Sequence, residues 1–410
     1  MTDIAADARH DFKILGLICG GHFFSHFFML AIPALMIFFH RDLGISYTLL
    51  GLALSIRYGA TAVAQVAAGF LVDRHGAMPI LLTGLFVMVT GMALLALADN
   101  FWMILILIVL AGIGDAVFHP ADYAIINGSI SEGRMGRAFS VHTFSGHLGF
   151  AAAPAFITVV ATQWNWQTAV LSSAMVGYAV WLAILIFRAP LKDDVIRHKA
   201  GAQAADAPRD SMADHAKLLT SRPVLLLFAF FAMSSLGNAG IHNFSIPALN
   251  ALHGTSEVDA GFAVGTYMLV SSFAVLAGGW ISDNIHRQDR FAALCYVGAI
   301  LAVLMVALLP LHYLLLVVAL GFAGFCHGVI RPARDLMVRE VVPKGSTGKV
   351  FGFVFTGQAA AGGIAPVILG FAMDNLPPQW IFFISIGFMV LCILTIIAPR
   401  GPMTRPAAAE

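Results

Sequence analysis

Charged residues are scarce in this sequence. They make up 11% of its 410 residues, against about 25% in soluble domains. So few charges cannot cover a water-facing surface of this size. Hydrophobic residues make up 59%, and they recur in runs of about 20 residues, the length of a helix that spans a bilayer. The composition therefore predicts a polytopic membrane protein, with the lipid bilayer as its surroundings.

Other missing features exclude further classes of protein. The net charge is only +1, so nothing indicates a nucleic-acid partner. The four cysteines lie inside apolar runs without CxxC or metal-ligand spacing, which is typical of small buried residues. The sequence contains no nucleotide-binding loop, no GxSxG or HExxH motif and no sizeable soluble domain. We therefore expect neither an enzyme nor a bound cofactor.

Twelve apolar runs are present. Backbone groups in lipid must form their hydrogen bonds internally, so each run is predicted to be a transmembrane helix, which makes an all-α polytopic membrane protein. The runs cover approximately residues 14–40, 47–72, 79–98, 101–127, 138–161, 167–187, 223–250, 260–282, 291–309, 312–334, 350–372 and 379–398. The long polar segment 188–222 is predicted to be a cytoplasmic linker between two six-helix bundles, residues 1–187 and 223–410.

The two halves repeat each other. Three pairs of segments match, in order, at separations of 214, 210 and 212 residues. They are "IPAL" (Ile32–Leu35) with Ile246–Leu249, "GFLVD" (Gly69–Asp73) with "GWISD" (Gly279–Asp283), and "HPADYA" (His119–Ala124) with "RPARDL" (Arg331–Leu336). Each half has an even number of spans, so the repeats share one topology. We therefore predict a pseudo-two-fold axis along the membrane normal.

Basic residues predict the orientation. Of the 23 Lys and Arg residues, this map leaves Arg41 alone in a far-side loop and Arg57 within the membrane. The others lie on the side of the N-terminus. By the positive-inside rule both termini are cytoplasmic, and we expect a multi-pass protein of the cell inner membrane.

The segment "GFLVDRHGAMP" after the second span resembles the loop motif of the major facilitator superfamily, roughly G-x-L-x-D-R-x-G-R-R. Ala77 and Met78 replace its basic pair. The resemblance implies a monomeric secondary transporter with a cytoplasmic charge gate. The gate positions, with the counterpart from the second repeat, are Gly69, Asp73, Arg74, Gly76 and Asp283.

A narrower resemblance concerns "GIGDAVFHPADYA", followed by "GRAFSVHTFSGHLGFAAAP". These segments are similar to the fosmidomycin-resistance branch of that superfamily, which implies proton-driven export of a drug-like compound or metabolite. Exporters often carry G-x-x-x-G-P in span five, which Gly146, Gly149 and Ala153-Pro154 match imperfectly. Proton-coupled uptake of a small organic acid or other metabolite is therefore the alternative.

Arg57 and Asp115 are the ionisable pair at bilayer depth. They lie ten and fourteen residues from the starts of spans two and four, a difference of about 6 Å along the normal. We predict that they interact. Asp115 would carry the coupled proton, with Arg57 as its partner or as an anion anchor. The alternative is a fixed buried pair that tightens the N-terminal bundle.

Histidines are the other candidate groups for substrate. With Arg57, the predicted substrate-binding residues are His22, His26, His119, His142, His242 and Asn243. His119 is also a candidate proton relay beside Asp115; alternatively it packs at a helix knuckle made by Pro120, with Arg331–Pro332 as its counterpart. His22 and His26 share a helix face, but span one offers no further ligand, so no metal site is predicted.

Two further predictions concern contacts between the halves. Small residues in spans five and eleven would form the seam along which the halves move. They are Gly146, Gly149, Gly352, Gly357, Gly362 and Gly363. Asp122, Tyr123, Arg334 and Asp335 would form clasps between the halves. An excess of Arg and His over acid within the membrane favours a small polar or anionic substrate.

Overall fold

The computed structural model describes residues 2–193, 218–341 and 347–398, and within them every regular element is a helix. The twelve predicted spans are confirmed. In order they are Thr2–Leu43, Tyr47–His75, Ala77–Leu95, Phe101–Asp115 with Phe118–Ser129, Met135–Gln163, Trp166–Phe187, Arg222–His253, Glu257–Asn284, Gln288–Leu308, Tyr313–Val341, Thr347–Asn375 and Trp380–Ile397. A short 3₁₀ turn, Glu132–Arg134, precedes span five.

Polar side chains cap four helices at one side of the molecule. Ser46, Asn100, Asn165 and Ser256 accept hydrogen bonds from backbone N–H groups in the first turns of spans two, four, six and eight. Such caps satisfy N–H groups that have no partner within the helix. We call this side the distal face. The opposite side, where spans one and seven begin, is the linker face.

Span four is interrupted. Its first helix ends at Asp115 and its second begins at Phe118, which places Pro120 in the first turn, where its missing N–H is not needed. The predicted counterpart in span ten does not form, because that helix runs from Tyr313 to Val341 through Pro332. The two repeats therefore differ at this point, and Asp115 lies beside a helix break that the other half lacks.

Helix pairing repeats in the two halves. Span one packs on span five as span seven packs on span eleven, and span three packs on spans four and six as span nine packs on spans ten and twelve. The predicted glycine seam is wrong for the glycines that make close contacts. Gly146 lies against His22, Gly149 against the carbonyl of Phe23, and Gly357 against Phe228. All three contacts join spans of the same half.

Contacts between the halves concentrate at the distal face. They join span two to span eleven, span five to span eight, and span one to span seven. Gly51 lies directly against the carbonyl oxygen of Pro366, and a Cβ at Gly261 would lie 2.8 Å from the carbonyl oxygen of Pro154. Backbones this close leave no room for a side chain.

A carboxylate of span eleven caps the start of span two. Asp374 accepts hydrogen bonds from the backbone N–H groups of Tyr47 at 3.0 Å and Thr48 at 2.7 Å, and from the Thr48 hydroxyl at 2.6 Å. Nearby, Arg41 at the end of span one pairs with Glu257 of span eight at 3.4 Å. The distal face is therefore closed by polar contacts as well as by close helix packing.

A cleft between the halves lies nearer the linker face than these contacts do. The cleft, of about 240 Å³, lies between spans five and eight, with His147 and Ser272 among its lining residues. The gate residues Asp73, Arg74 and Asp283 are exposed, and none forms a hydrogen bond or ion pair within the described ranges. The predicted gate is therefore not engaged in this arrangement.

Gly76 of the gate motif has a local structural role. Its φ of +87° suits glycine, and the Asp193 carboxylate lies where a Cβ would project. Asp193 belongs to the predicted linker, and its Oδ2 accepts a hydrogen bond from the Ala77 N–H at 2.8 Å. The start of the linker segment thus caps span three.

We expect Asp193→Ala to lower the free energy of unfolding by about 0.5–2 kcal/mol, the usual cost of removing a helix cap. The measurement is thermal unfolding of the purified protein in detergent micelles. Asp283→Ala is the matched control, since Asp283 is exposed and caps no helix in the described structure. Equal unfolding temperatures for the two variants would contradict the capping role.

Candidate functional site

The predicted contact between Arg57 and Asp115 is confirmed. Nη2 of Arg57 in span two lies 3.4 Å from Oδ2 of Asp115 in span four, and the Ser25 hydroxyl of span one donates to Oδ1 of Asp115. The side chains of Arg57 and Asp115 are 1% and 10% exposed. One carboxylate therefore connects three spans inside the membrane.

Glycine at position 112 makes this contact possible. A Cβ there would lie 2.9 Å from Cγ of Arg57 and 2.7 Å from Oγ1 of Thr61. The Thr61 hydroxyl instead donates to the Gly112 carbonyl at 3.0 Å. The Arg57 side chain can thus cross span four at Gly112 and meet Asp115 nearly one turn further on.

Arg57 is not open to a solute in this conformation, because its guanidinium is buried and occupied by Asp115. Its neighbour Tyr58 donates to the Asn243 side chain at 3.4 Å, which joins the two halves. Asn243 is itself 6% exposed. The two predicted substrate residues Arg57 and Asn243 therefore lie in one buried region between spans two, four and seven.

Four of the predicted histidines form a histidine cluster, made of His22, His26, His119 and His142. Its rings come from spans one, four and five. The ring centroid of His22 lies 3.7 Å from that of His142 in a stacked pair, 4.3 Å from His26 and 5.5 Å from His119. His119 is the exposed member, whereas His22 and His142 are buried. The cluster is therefore reached from the His119 side.

Asp122 belongs to the histidine cluster and not to a clasp between halves. It is fully buried, and its Oδ2 lies 2.9 Å from Nε2 of His142 in the same half. The predicted clasp is wrong for Asp122 because its side chain faces span five. Arg334 likewise contacts Asp335 at 3.0 Å and Gln358 at 3.4 Å, both within the C-terminal half.

The C-terminal half contains a second polar group. The Tyr267 hydroxyl of span eight lies 2.5 Å from Nδ1 of His327 and 3.2 Å from Oδ1 of Asn238. The ring of His242 lies 5.6 Å from that of Tyr267. The predicted substrate residue His242 therefore lies beside a tyrosine and a histidine that the sequence analysis did not assign to the site.

Arg331 bridges the two halves. Its Nη1 donates to Nε2 of His147 in span five at 2.6 Å, so His147 accepts with an unprotonated Nε2. Arg331 is half-buried, and in the described ranges no carboxylate lies within ion-pair distance of it. The sequence indicated Arg331 only as a counterpart of His119, because its partner His147 lies in the other half.

The sequence matches the model of a known protein family. The family model of the Major Facilitator Superfamily matches residues 18–311 and 234–410. The chain belongs to the major facilitator superfamily. It is a multi-pass membrane transporter by family, as the resemblance at the loop after span two implied.

Similar proteins include two named for drug resistance. The chain is 24% identical over 401 residues to the fosmidomycin resistance protein of Escherichia coli (strain K12), covering 96% of this chain and 94% of that one. It is 24% identical over 376 residues to the multidrug resistance protein MdtH of Proteus mirabilis (strain HI4320), covering 90% of each. Both alignments span nearly the whole transporter.

Solved structures share the fold. The nucleoside transporter NupG (D323A mutant) superposes with a TM-score of 0.76 at 13% identity, over 95% of this chain and 99% of that chain. A bacterial homologue of the human lysosomal transporter Spinster, inward-facing and unoccupied, superposes with a TM-score of 0.72 at 15% identity, over 95% and 94%. These similarities concern the fold alone.

Proposed function

We propose that this transporter is a proton-coupled carrier that exports a small polar or anionic organic compound across the inner membrane. The observation that carries the proposal is the Asp115 carboxylate, buried in the membrane and shared by Arg57 and Ser25. Ionisable groups at this depth are costly, and they usually serve ion or substrate pathways. A buried ion pair also stabilises a fold less well than apolar packing does. Stabilisation alone therefore does not explain why this pair lies in the membrane.

Protonation of Asp115 would remove the charge that holds Arg57. Arg57 would then form a hydrogen bond to a different acceptor, and the packing of span two against span four would change. Span two also carries Gly51 and the Asp374-capped residues at the distal face. A proton at Asp115 can therefore bias the closure of the distal face through a single helix. In this proposal the described arrangement, with its cleft between spans five and eight, is the state open toward the linker face.

The orientation and the division of the chain form part of the same proposal. The linker face would be cytoplasmic, since nearly all Lys and Arg residues lie on its side. Residues 1–187 and 223–410 would move as two bundles joined by residues 188–222. A monomer would suffice, because the site lies within one chain. The described state would then accept solute from the cytoplasm.

Arg331 supports an anionic solute, because it presents a guanidinium between the halves without a carboxylate partner. We expect Arg331→Gln to weaken binding of the transported anion by about tenfold or more, since a hydrogen bond to a charged group contributes about 1.5–3 kcal/mol. The measurement is the substrate concentration at half-maximal transport. Arg290→Gln, an exposed arginine at the linker face, is the matched control. Equal values for the two variants would exclude Arg331 as an anion anchor.

Transport by purified protein in lipid vesicles tests the function itself. The name of the Escherichia coli relative makes fosmidomycin the first probe. We expect its movement to depend on an imposed pH gradient, with export seen as movement from the linker face to the distal face. Movement in the opposite direction would favour uptake of a metabolite, the second candidate, which the imperfect span-five motif permits. Transport that ignores the gradient would remove proton coupling.

A further inference from the structure

Three histidines of the histidine cluster bring their ring nitrogens together. His22 and His26 of span one and His119 of span four each offer one nitrogen, and these atoms lie within 4.8 Å of one another. The sequence predicted no metal site, because span one supplies only two ligands. Span four supplies the third. We propose that these three histidines bind a divalent transition-metal ion such as Zn²⁺.

The hydrogen bond of the His22 ring prepares this histidine as a ligand. Its Nδ1 lies 2.9 Å from the backbone oxygen of His142. A carbonyl oxygen only accepts, so Nδ1 carries the proton and Nε2 carries the free lone pair. Nε2 is buried and has no hydrogen-bond partner in the described structure. Metal-binding histidines commonly donate their other N–H to a carbonyl or carboxylate in this way.

A buried carboxyl group is connected to the three histidines through His142. The His142 ring stacks on His22, and its Nε2 lies 2.9 Å from the carboxylate of Asp122. Asp122 is fully buried, and its Oδ1 has no partner in the described structure. No Lys or Arg of the described ranges pairs with it. In the described structure the side chain paired with Asp122 is a histidine, so an ionised carboxylate here would be costly, and a bound dication nearby would offset that cost.

The ligand atoms select the class of metal. Imidazole nitrogen suits Zn²⁺, Ni²⁺ and Cu²⁺, whereas Mg²⁺ and Ca²⁺ require oxygen ligands. Tetrahedral Zn²⁺ with nitrogens at about 2.0–2.1 Å holds those nitrogens about 3.4 Å apart. His119 would therefore move inward on binding, and as the exposed residue just after the break in span four it is free to do so. Three protein ligands leave a fourth position for water or a solute.

Direct binding of Zn²⁺ to the full chain in detergent tests the proposal, with calorimetry as the readout and an affinity tag that contains no histidine. We expect saturable binding of a single Zn²⁺ per chain and no heat from Mg²⁺. His119→Asn, the variant at the exposed member, should weaken binding by about tenfold or more. His22→Asn and His26→Asn should do the same if they fold.

His312→Asn is the surface control and His242→Asn the control in the C-terminal half; both should bind Zn²⁺ as the unmodified protein does. Zn²⁺ should also raise the thermal unfolding temperature. This rise should be reduced in His119→Asn but not in His312→Asn or His242→Asn. An absence of saturable binding, or equal affinity in His119→Asn, would overturn the proposal. Because binding is measured without a gradient, its failure is independent of the outcome for proton-coupled transport.

Discussion

Asp115→Asn is expected to abolish gradient-driven transport and to destabilise the protein. The substitution leaves Arg57 buried at 1% exposure without its carboxylate, and breaking a buried pair from one side costs about 3–5 kcal/mol. The asparagine cannot exchange a proton, so transport in lipid vesicles should no longer respond to pH. Thermal unfolding in detergent measures the first effect, and probe transport with and without a pH gradient measures the second.

A double variant separates stability from coupling. Replacing Arg57 and Asp115 together by leucine removes both charges and should restore much of the unfolding temperature. It should not restore the response to pH. Asp99→Asn, in an exposed loop at the distal face, is the matched single control and should leave both readouts unchanged. Gradient-driven transport by the double variant would mean that the proton is carried elsewhere.

Gly51→Ala is expected to prevent closure of the distal face. The new Cβ would meet the carbonyl oxygen of Pro366, so spans two and eleven would have to separate. Overpacking of this kind costs about 1–3 kcal/mol, which shifts the balance between two conformations by about 5- to 150-fold. The population with an open distal face should rise, and transport should fall by a similar factor.

Spin labels on exposed residues at the ends of spans two and eleven would measure this shift as a longer distance across the distal face. Gly59→Ala is a close control, because it lies two turns further along the same helix and a Cβ there meets nothing within 4 Å. It should transport as the unmodified protein does. Equal distance distributions for the two variants would show that the Gly51 contact does not limit closure.

The transmembrane architecture could be predicted from the sequence because lipid permits few backbone arrangements. Apolar run length located all twelve spans. Depth along the helix axis was sufficient to predict the contact between Arg57 and Asp115, since both positions could be counted from a loop. Depth does not specify the rotation of a helix about its axis, however. Contacts that depend on this rotation were therefore predicted less well.

Helix rotation explains the errors. The glycines of span five were predicted to face the other half, but Gly146 and Gly149 face span one. Asp122 was placed at the interface between halves, whereas it turns toward His142. The three proposed metal ligands come together because His119, just after the break in span four, lies close to His22 and His26 of span one. Spacing within a single helix gives the depth of a residue, but it does not specify which neighbouring helix that residue faces.

Proton movement during transport is the most direct test of the central claim that Asp115 carries the coupled proton. The measurement is a pH-sensitive dye enclosed in vesicles that contain the protein, with no pH gradient imposed and the probe solute added on one side. We expect solute movement to drive a pH change inside the vesicles with the unmodified protein and none with Asp115→Asn. A pH change that persists in Asp115→Asn would contradict the claim.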